Sequence, residues 1–128
     1  MRKIEGWLLD ELVSHCEDQR YASVETHLPG EKIFAKGDAG DYMAVLLSGV
    51  VDIKRDDHIL MTFEYGSIFG EMGLIDHEPR SADAFARTQS RIARIREAQF
   101  NSLLTKNPHF ALAMMRILTD RLRNSIKS

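Results

Sequence analysis

Between Ser23 and Arg96 the chain breaks into short apolar or alternating runs, each closed by a turn signal. SVETHL is followed by PGE, KIFAK by GDAGD, YMAVLL by SG, VVDIK by RDDH, and ILMTFEY by GS. Short strands at such close spacing predict an antiparallel barrel or jelly roll, since a βαβ sheet needs a long helical run between strands. Gly30, Gly37, Gly40, Gly49 and Gly66 fall at the breaks, where a roll needs tight corners. Further on, SADAFAR and SRIARIR resume strand character, with RIARI alternating cleanly.

Helical periodicity brackets this region. Ile4, Trp7, Leu8, Leu12 and Cys16 recur at helical spacing and predict an N-terminal helix within residues 1–20. The helical pattern returns at Glu97, where Phe100, Leu103 and Leu104 share a face. Asn107-Pro108 then marks a break, with Pro opening a new helix that runs to about Ile126. Apolar residues of that last helix spread over roughly 260° of the wheel at about 100° per residue. A helix lying on a core needs a narrower stripe. This one therefore packs on two sides, pairs with a second chain, or closes over a ligand. The expectation is a single domain over residues 1–128, mainly β with flanking helices. It comprises an antiparallel β-roll or jelly roll over 23–96, an N-terminal helix, a short helix inside 66–82, and two C-terminal helices over 97–128.

At 128 residues the chain can bury a core without metals or disulfides. A net charge of -2 argues against direct nucleic-acid binding, which draws on a basic surplus. The charge is uneven, though: from Arg80 to Ser128 eight Arg and two Lys face three acidic residues. The lone cysteine, Cys16, excludes an intrachain disulfide and a cysteine-ligated metal cluster within one chain. No apolar run approaches the roughly 18 residues of a membrane span, and the N-terminus lacks the apolar core of a signal peptide. A cytoplasmic protein with no membrane contact is expected. His15, His27, His58, His77 and His109 include no His-x-His pair of the kind jelly-roll metal sites use, and Ser67 and Ser81 lie in no Gly-x-Ser-x-Gly turn. Neither a metal nor an enzyme activity is expected.

The segment Gly66–Ala82 holds groups suited to a small anion. Gly70 and Gly73 permit close backbone approach, so that main-chain N–H groups around 70–73 converge. A helical turn starting near Gly70 adds its positive end. Arg80, behind a proline, supplies a planar guanidinium matched to phosphate oxygens. Glu71 would repel phosphate but accept hydrogen bonds from a neighbouring sugar hydroxyl. A ribose joined to a phosphate asks for both groups. Asp76, His77 and Glu78 read as a solvated tip, Met114-Met115 as packing residues, and Arg116, Arg121 and Arg123 as solvated charges on the last helix.

The run FGEMGLIDHEPRSA closely resembles the phosphate-binding cassette of cyclic-nucleotide-binding domains. The upstream stretch LPGEKIFAKGDAGDYMAVLLSGVVDI and the helical ending are similar to that family too, so the likeness covers roughly residues 5–126. The resemblance implies that Phe69 opens the cassette, that Glu71 accepts the ribose 2′-hydroxyl, and that Arg80 pairs with the cyclic phosphate. It also implies that backbone amides at Gly70, Met72 and Gly73 face the ligand and that Ala82 donates its N–H to phosphate. Ser81 would bond phosphate or the edge of a guanine. Family members that activate transcription, conduct ions or phosphorylate carry an effector on the same chain. This sequence reaches Ser128 just after the family's lid helix, so its output is expected to pass through an effector protein or a second copy. Two functions follow: a stand-alone receptor for cAMP, more than cGMP, whose lid helix moves on binding; or a nucleotide-free roll that dimerises through its last helix.

Overall fold

The computed structural model describes residues 23–127, with side chains through Arg123. The predicted N-terminal helix lies outside the described residues. Eight strands follow in order: β1 (Ser23–His27), β2 (Lys32–Phe34), β3 (Tyr42–Ser48), β4 (Val51–Arg55), β5 (His58–Phe63), β6 (Ile68–Phe69), β7 (Asp83–Ala86) and β8 (Ser90–Arg96). A short helix α1 (Glu71–Asp76) separates β6 from β7, and α2 (Glu97–Lys106) and α3 (Pro108–Lys127) close the chain.

Pairing is nested and antiparallel: β1 with β8, β2 with β7, β3 with β6, β4 with β5. That is a long hairpin rolled up on itself, the jelly-roll topology, and it yields two four-stranded sheets ordered β1-β8-β3-β6 and β2-β7-β4-β5. The innermost hairpin turns at Asp56-Asp57, both at positive φ (52° and 65°). That pair fits a two-residue turn whose twist matches the strands, and Asp tolerates the conformation.

Strand β3 explains why YMAVLL is apolar at every position. Side chains alternate across a strand, and here both faces are covered. Tyr42, Ala44 and Leu46 point between the sheets, against Phe34, Val51, Phe63, Phe69 and Ile92. Met43 and Val45 point the other way, into a second core with Ile68, Ile95, Phe100, Leu103, Phe110, Met114 and Ile117. The helices thus cap the outer face of one sheet, and Phe100 and Phe110 meet edge-on at 5.9 Å to join α2 to α3. The junction between them is sharp because Asn107 ends one helix and starts the next. Its N–H donates to Leu103 O, while its side-chain oxygen accepts from Phe110 N at 3.2 Å, with Pro108 as the first helical residue. No helix among the described residues is long and apolar enough to cross a membrane.

Candidate ligand-binding site

The segment Gly66–Ala82 crosses from one sheet to the other and lines one side of a cavity. Two-residue β6 is pinned to β3 through Ile68 and Phe69. The chain then turns sharply at Gly70 (φ 77°, ψ 9°), enters α1, leaves it at His77 (φ 60°) and returns through Pro79 to β7. Gly70 is required twice over. Its φ is left-handed, and a Cβ there would lie 2.6 Å from Arg80 Nη1.

Arg80 is 5 % exposed. Its Nη1 donates to Gly70 O and its Nη2 to Tyr42 O, both at 2.6 Å. The guanidinium lies over the rings of Phe34 (4.3 Å) and Tyr42 (4.7 Å), an arrangement that suits its planar, weakly hydrated cation. Burial pulls its pKa below the usual arginine value, while the neighbouring Tyr42 and Asp41 oppose that shift. Its Nε is buried with no hydrogen-bond partner among the described residues.

Glu71, at the first position of α1, is 1 % exposed. One carboxylate oxygen is met by Arg121 Nη1, which reaches in from α3, and Arg121 Nη2 donates to Ile68 O. The other oxygen, Oε2, is buried without a partner among the described residues. Arg121 also lies 5.5 Å from the Phe63 ring centroid, and burial lowers its pKa to about 10, which leaves it protonated at neutral pH. One buried acceptor, Glu71 Oε2, and two buried donors, Arg80 Nε and Arg121 Nε, are therefore without partners among the described residues, all three on residues that line one cavity. Buried polar atoms are nearly always satisfied, so these three stand out among the described residues as atoms open to further polar contact.

The cavity measures about 370 Å³, inside the roughly 300–1,000 Å³ range of small-molecule pockets. All eight residues singled out from the sequence (Phe69, Gly70, Glu71, Met72, Gly73, Arg80, Ser81 and Ala82) line it. Phe69 does so as a buried ring stacked on Phe63 at 5.5 Å. The Met72 side chain is exposed, as is Ser81, whose carbonyl accepts from Arg55 Nε at 3.2 Å. Opposite the cassette, Phe34, Ile53, Met61 and Phe63 form an apolar wall.

Three features depart from the sequence reading. Arg121 is no solvated charge but a wall of the cavity. Phe110, Met114, Ile117 and Arg121 follow one another at helical spacing, the first three buried, so a cation continuing an inward apolar stripe was the available signal. Asp76 and Glu78, read as a solvated tip, also border the cavity, although both are exposed. Met114 and Met115 part company: Met114 is core, Met115 is 59 % exposed.

The sequence model of the family described as cyclic nucleotide-binding domain matches residues 24–107, and the chain belongs to that family. A CRP-like cAMP-activated global transcriptional regulator of Mycobacterium tuberculosis is 28 % identical over 101 residues, covering 75 % of this chain and 45 % of its own. A cAMP-dependent protein kinase regulatory subunit of Eremothecium gossypii is 32 % identical over 101 residues, covering 77 % of this chain and 22 % of its own. Among solved structures, the Thermus thermophilus catabolite activator protein superposes with a TM-score of 0.78 at 27 % identity, over 90 % of this chain and 55 % of that one. The chain thus spans less than half the length of these two curated relatives.

Proposed function

We propose that the domain is a regulatory receptor for a 3′,5′-cyclic nucleotide, cAMP in preference to cGMP, and that ligand binding resets the position of α3. The observation that carries this reading is that Glu71 Oε2 and Arg80 Nε, like Arg121 Nε, are buried and unpartnered among the described residues, on side chains that line one cavity. A ribose hydroxyl donates to Glu71 Oε2 and a phosphate oxygen accepts from Arg80 Nε. Backbone around Gly70, Met72 and Gly73 and the Ala82 N–H complete the cradle. The base then lies against Ile53, Met61 and Phe63. An apolar wall disfavours guanine, which brings more polar edge atoms that would be buried unpaired; only the Ser81 hydroxyl offsets this. The named relatives with cAMP in their descriptions support the same choice.

Arg121 supplies the link to output. It ties α3 to Glu71 and to Ile68, so a ligand that engages Glu71 changes the energy of that tie, and the position of α3 shifts by the difference. An effector protein or a second copy then reads the helix. The groups lining the cavity bind and orient rather than react, which agrees with a regulatory role.

A second reading is favoured by the same arginine: Arg121 itself satisfies half of Glu71, as in a roll that serves as an interaction module without nucleotide. Calorimetric titration of nucleotide-stripped protein with cAMP and with cGMP separates the two. Micromolar or tighter binding, with cAMP the stronger ligand, is the expected result. Absence of heat and of any rise in melting temperature with either nucleotide would leave the interaction module.

A further inference from the structure

Gly73 lies inside α1, where alanine favours a helix by about 1 kcal/mol over glycine. Gly40, in the turn between β2 and β3, lies outside the left-handed region. Neither backbone conformation calls for glycine. Contact does: a Cβ on Gly40 would lie 2.7 Å from Glu78 O and 2.8 Å from Gly73 Cα, and a Cβ on Gly73 would lie 2.8 Å from Gly40 Cα and 2.9 Å from Glu78 O. Two stretches of main chain thus press directly on each other, with no side chain between them to give way.

The same turn holds Arg80 from both sides. Gly37 N donates to Arg80 O and Arg80 N donates to Asp38 O, each at 2.8 Å. Just beyond, Lys36 N donates to the Asp83 carboxylate at 2.7 Å. The turn keeps its own shape through the Asp38 carboxylate, which accepts from Ala35 N at 2.9 Å. We propose that the β2–β3 turn, through the Gly40–Gly73 contact and the two backbone bonds to Arg80, sets the depth and angle of the anion-binding cassette, with Gly40, Gly73 and Asp38 as positioning residues. None of the three lends a side chain to the ligand. They act by fixing where the Arg80 guanidinium and the first turn of α1 stand, and a site displaced by a fraction of an ångström loses its paired contacts.

This inference rests on the receptor reading above. It is tested with Gly40→Ala and, because the clash there is with backbone, with Asp38→Ala, which loosens the same turn without adding bulk. Affinity for cAMP is measured by calorimetry, melting temperature without nucleotide by circular dichroism, and the phosphate environment by the ³¹P resonance of saturated cAMP. The dissociation constant is expected to rise tenfold or more in Gly40→Ala and severalfold in Asp38→Ala, with the ³¹P resonance displaced from its wild-type position in both. Asp38→Ala decides the matter should Gly40→Ala fail to fold. A lowered melting temperature with an unchanged dissociation constant and ³¹P resonance would show a structural role only and overturn the proposal. Wild-type protein that does not bind cAMP would overturn the receptor reading and this one together, whereas wild-type binding with unaffected variants overturns this one alone.

Discussion

Arg80 carries two jobs at once, and its neighbours show how they are divided. Two of its donors hold the carbonyls of Gly70 and Tyr42, so the guanidinium welds the entry of α1 to β3. Its stacking on Phe34 and Tyr42 adds a packing contribution that a sequence reading of Arg80 as a phosphate ligand does not contain. Arg80→Lys is therefore expected to act on both quantities. A single ammonium cannot span both carbonyls, and a buried carbonyl left unpaired costs about 1–3 kcal/mol. The variant should lose about 10- to 100-fold in cAMP affinity by calorimetry and several degrees in melting temperature without nucleotide. Unchanged melting would mean that the two carbonyl bonds contribute nothing to the fold. The cassette was legible from the sequence because Gly70, Glu71, Gly73 and Arg80 stand in one short run with chemistry suited to a sugar phosphate, and the family resemblance added Phe69 and Ala82. Arg121 was not, because it meets Glu71 from fifty residues away. Three arginines stand on the last helix, and of these Arg121 alone continues the spacing of Phe110, Met114 and Ile117, a signal that names the inward face but not the Glu71 it meets.

Strand β4 shows how a polar group can serve a sheet. Asp52 is buried beside β5 and β7, accepts from Thr62 Oγ1 at 2.8 Å, and receives Arg87 through two bonds of 2.8 and 2.7 Å. Burial alone would raise its pKa, but the hydrogen bonds from Arg87 and Thr62 and the charge of Arg87 bring it below the ordinary 3.8. A carboxylate with a depressed folded pKa adds stability that is fully present above 3.8 and is lost as the pH falls through the folded value. Asp52→Asn is accordingly expected to melt below wild type at pH 7, with the gap closing as the pH drops past that point. A gap that stays constant down to pH 2 would assign the effect to packing instead of charge. At this scale the sequence was informative wherever an element had a period or a stop signal. The strand β8 alternates, α2 starts where the pattern changes at Glu97, and α3 begins at Pro108 as expected. Strand β6 left no such trace, since two residues are too few to show a period and its partner β3 is supplied by tertiary pairing. At Gly40 the sequence pointed to a tight corner for the wrong reason, for what excludes a side chain there is the backbone of Gly73 and Glu78.

Helix α3 resolves the width of its own apolar surface by having two faces. Phe110, Met114 and Ile117 are buried against the roll, and Arg121 extends that stripe into the cavity. On the other side Leu112, Met115 and Leu122 remain exposed, Met115 at 59 % and Leu122 at 62 %. These positions are three and seven residues apart, the spacing of a two-helix seam. A face of that kind is covered most simply by the same face of a second copy, because an antiparallel or parallel helix pair is self-complementary. The inward stripe would then sense the nucleotide while the outward stripe passes the shift on, both being parts of one rigid rod. Sedimentation equilibrium is expected to show a dimer for the wild type and a monomer for Met115→Glu combined with Leu122→Glu, since two like charges would be placed in the seam. The variant should keep its melting temperature to within a few degrees at low concentration, because neither side chain belongs to the buried core. It should also still bind cAMP, since neither Met115 nor Leu122 lines the cavity. A wild type that stays monomeric at every concentration, with or without cAMP, would rule out the second copy and leave a different protein as the reader of α3. Loss of nucleotide binding in a folded monomeric variant would instead mean that the partner copy completes the site.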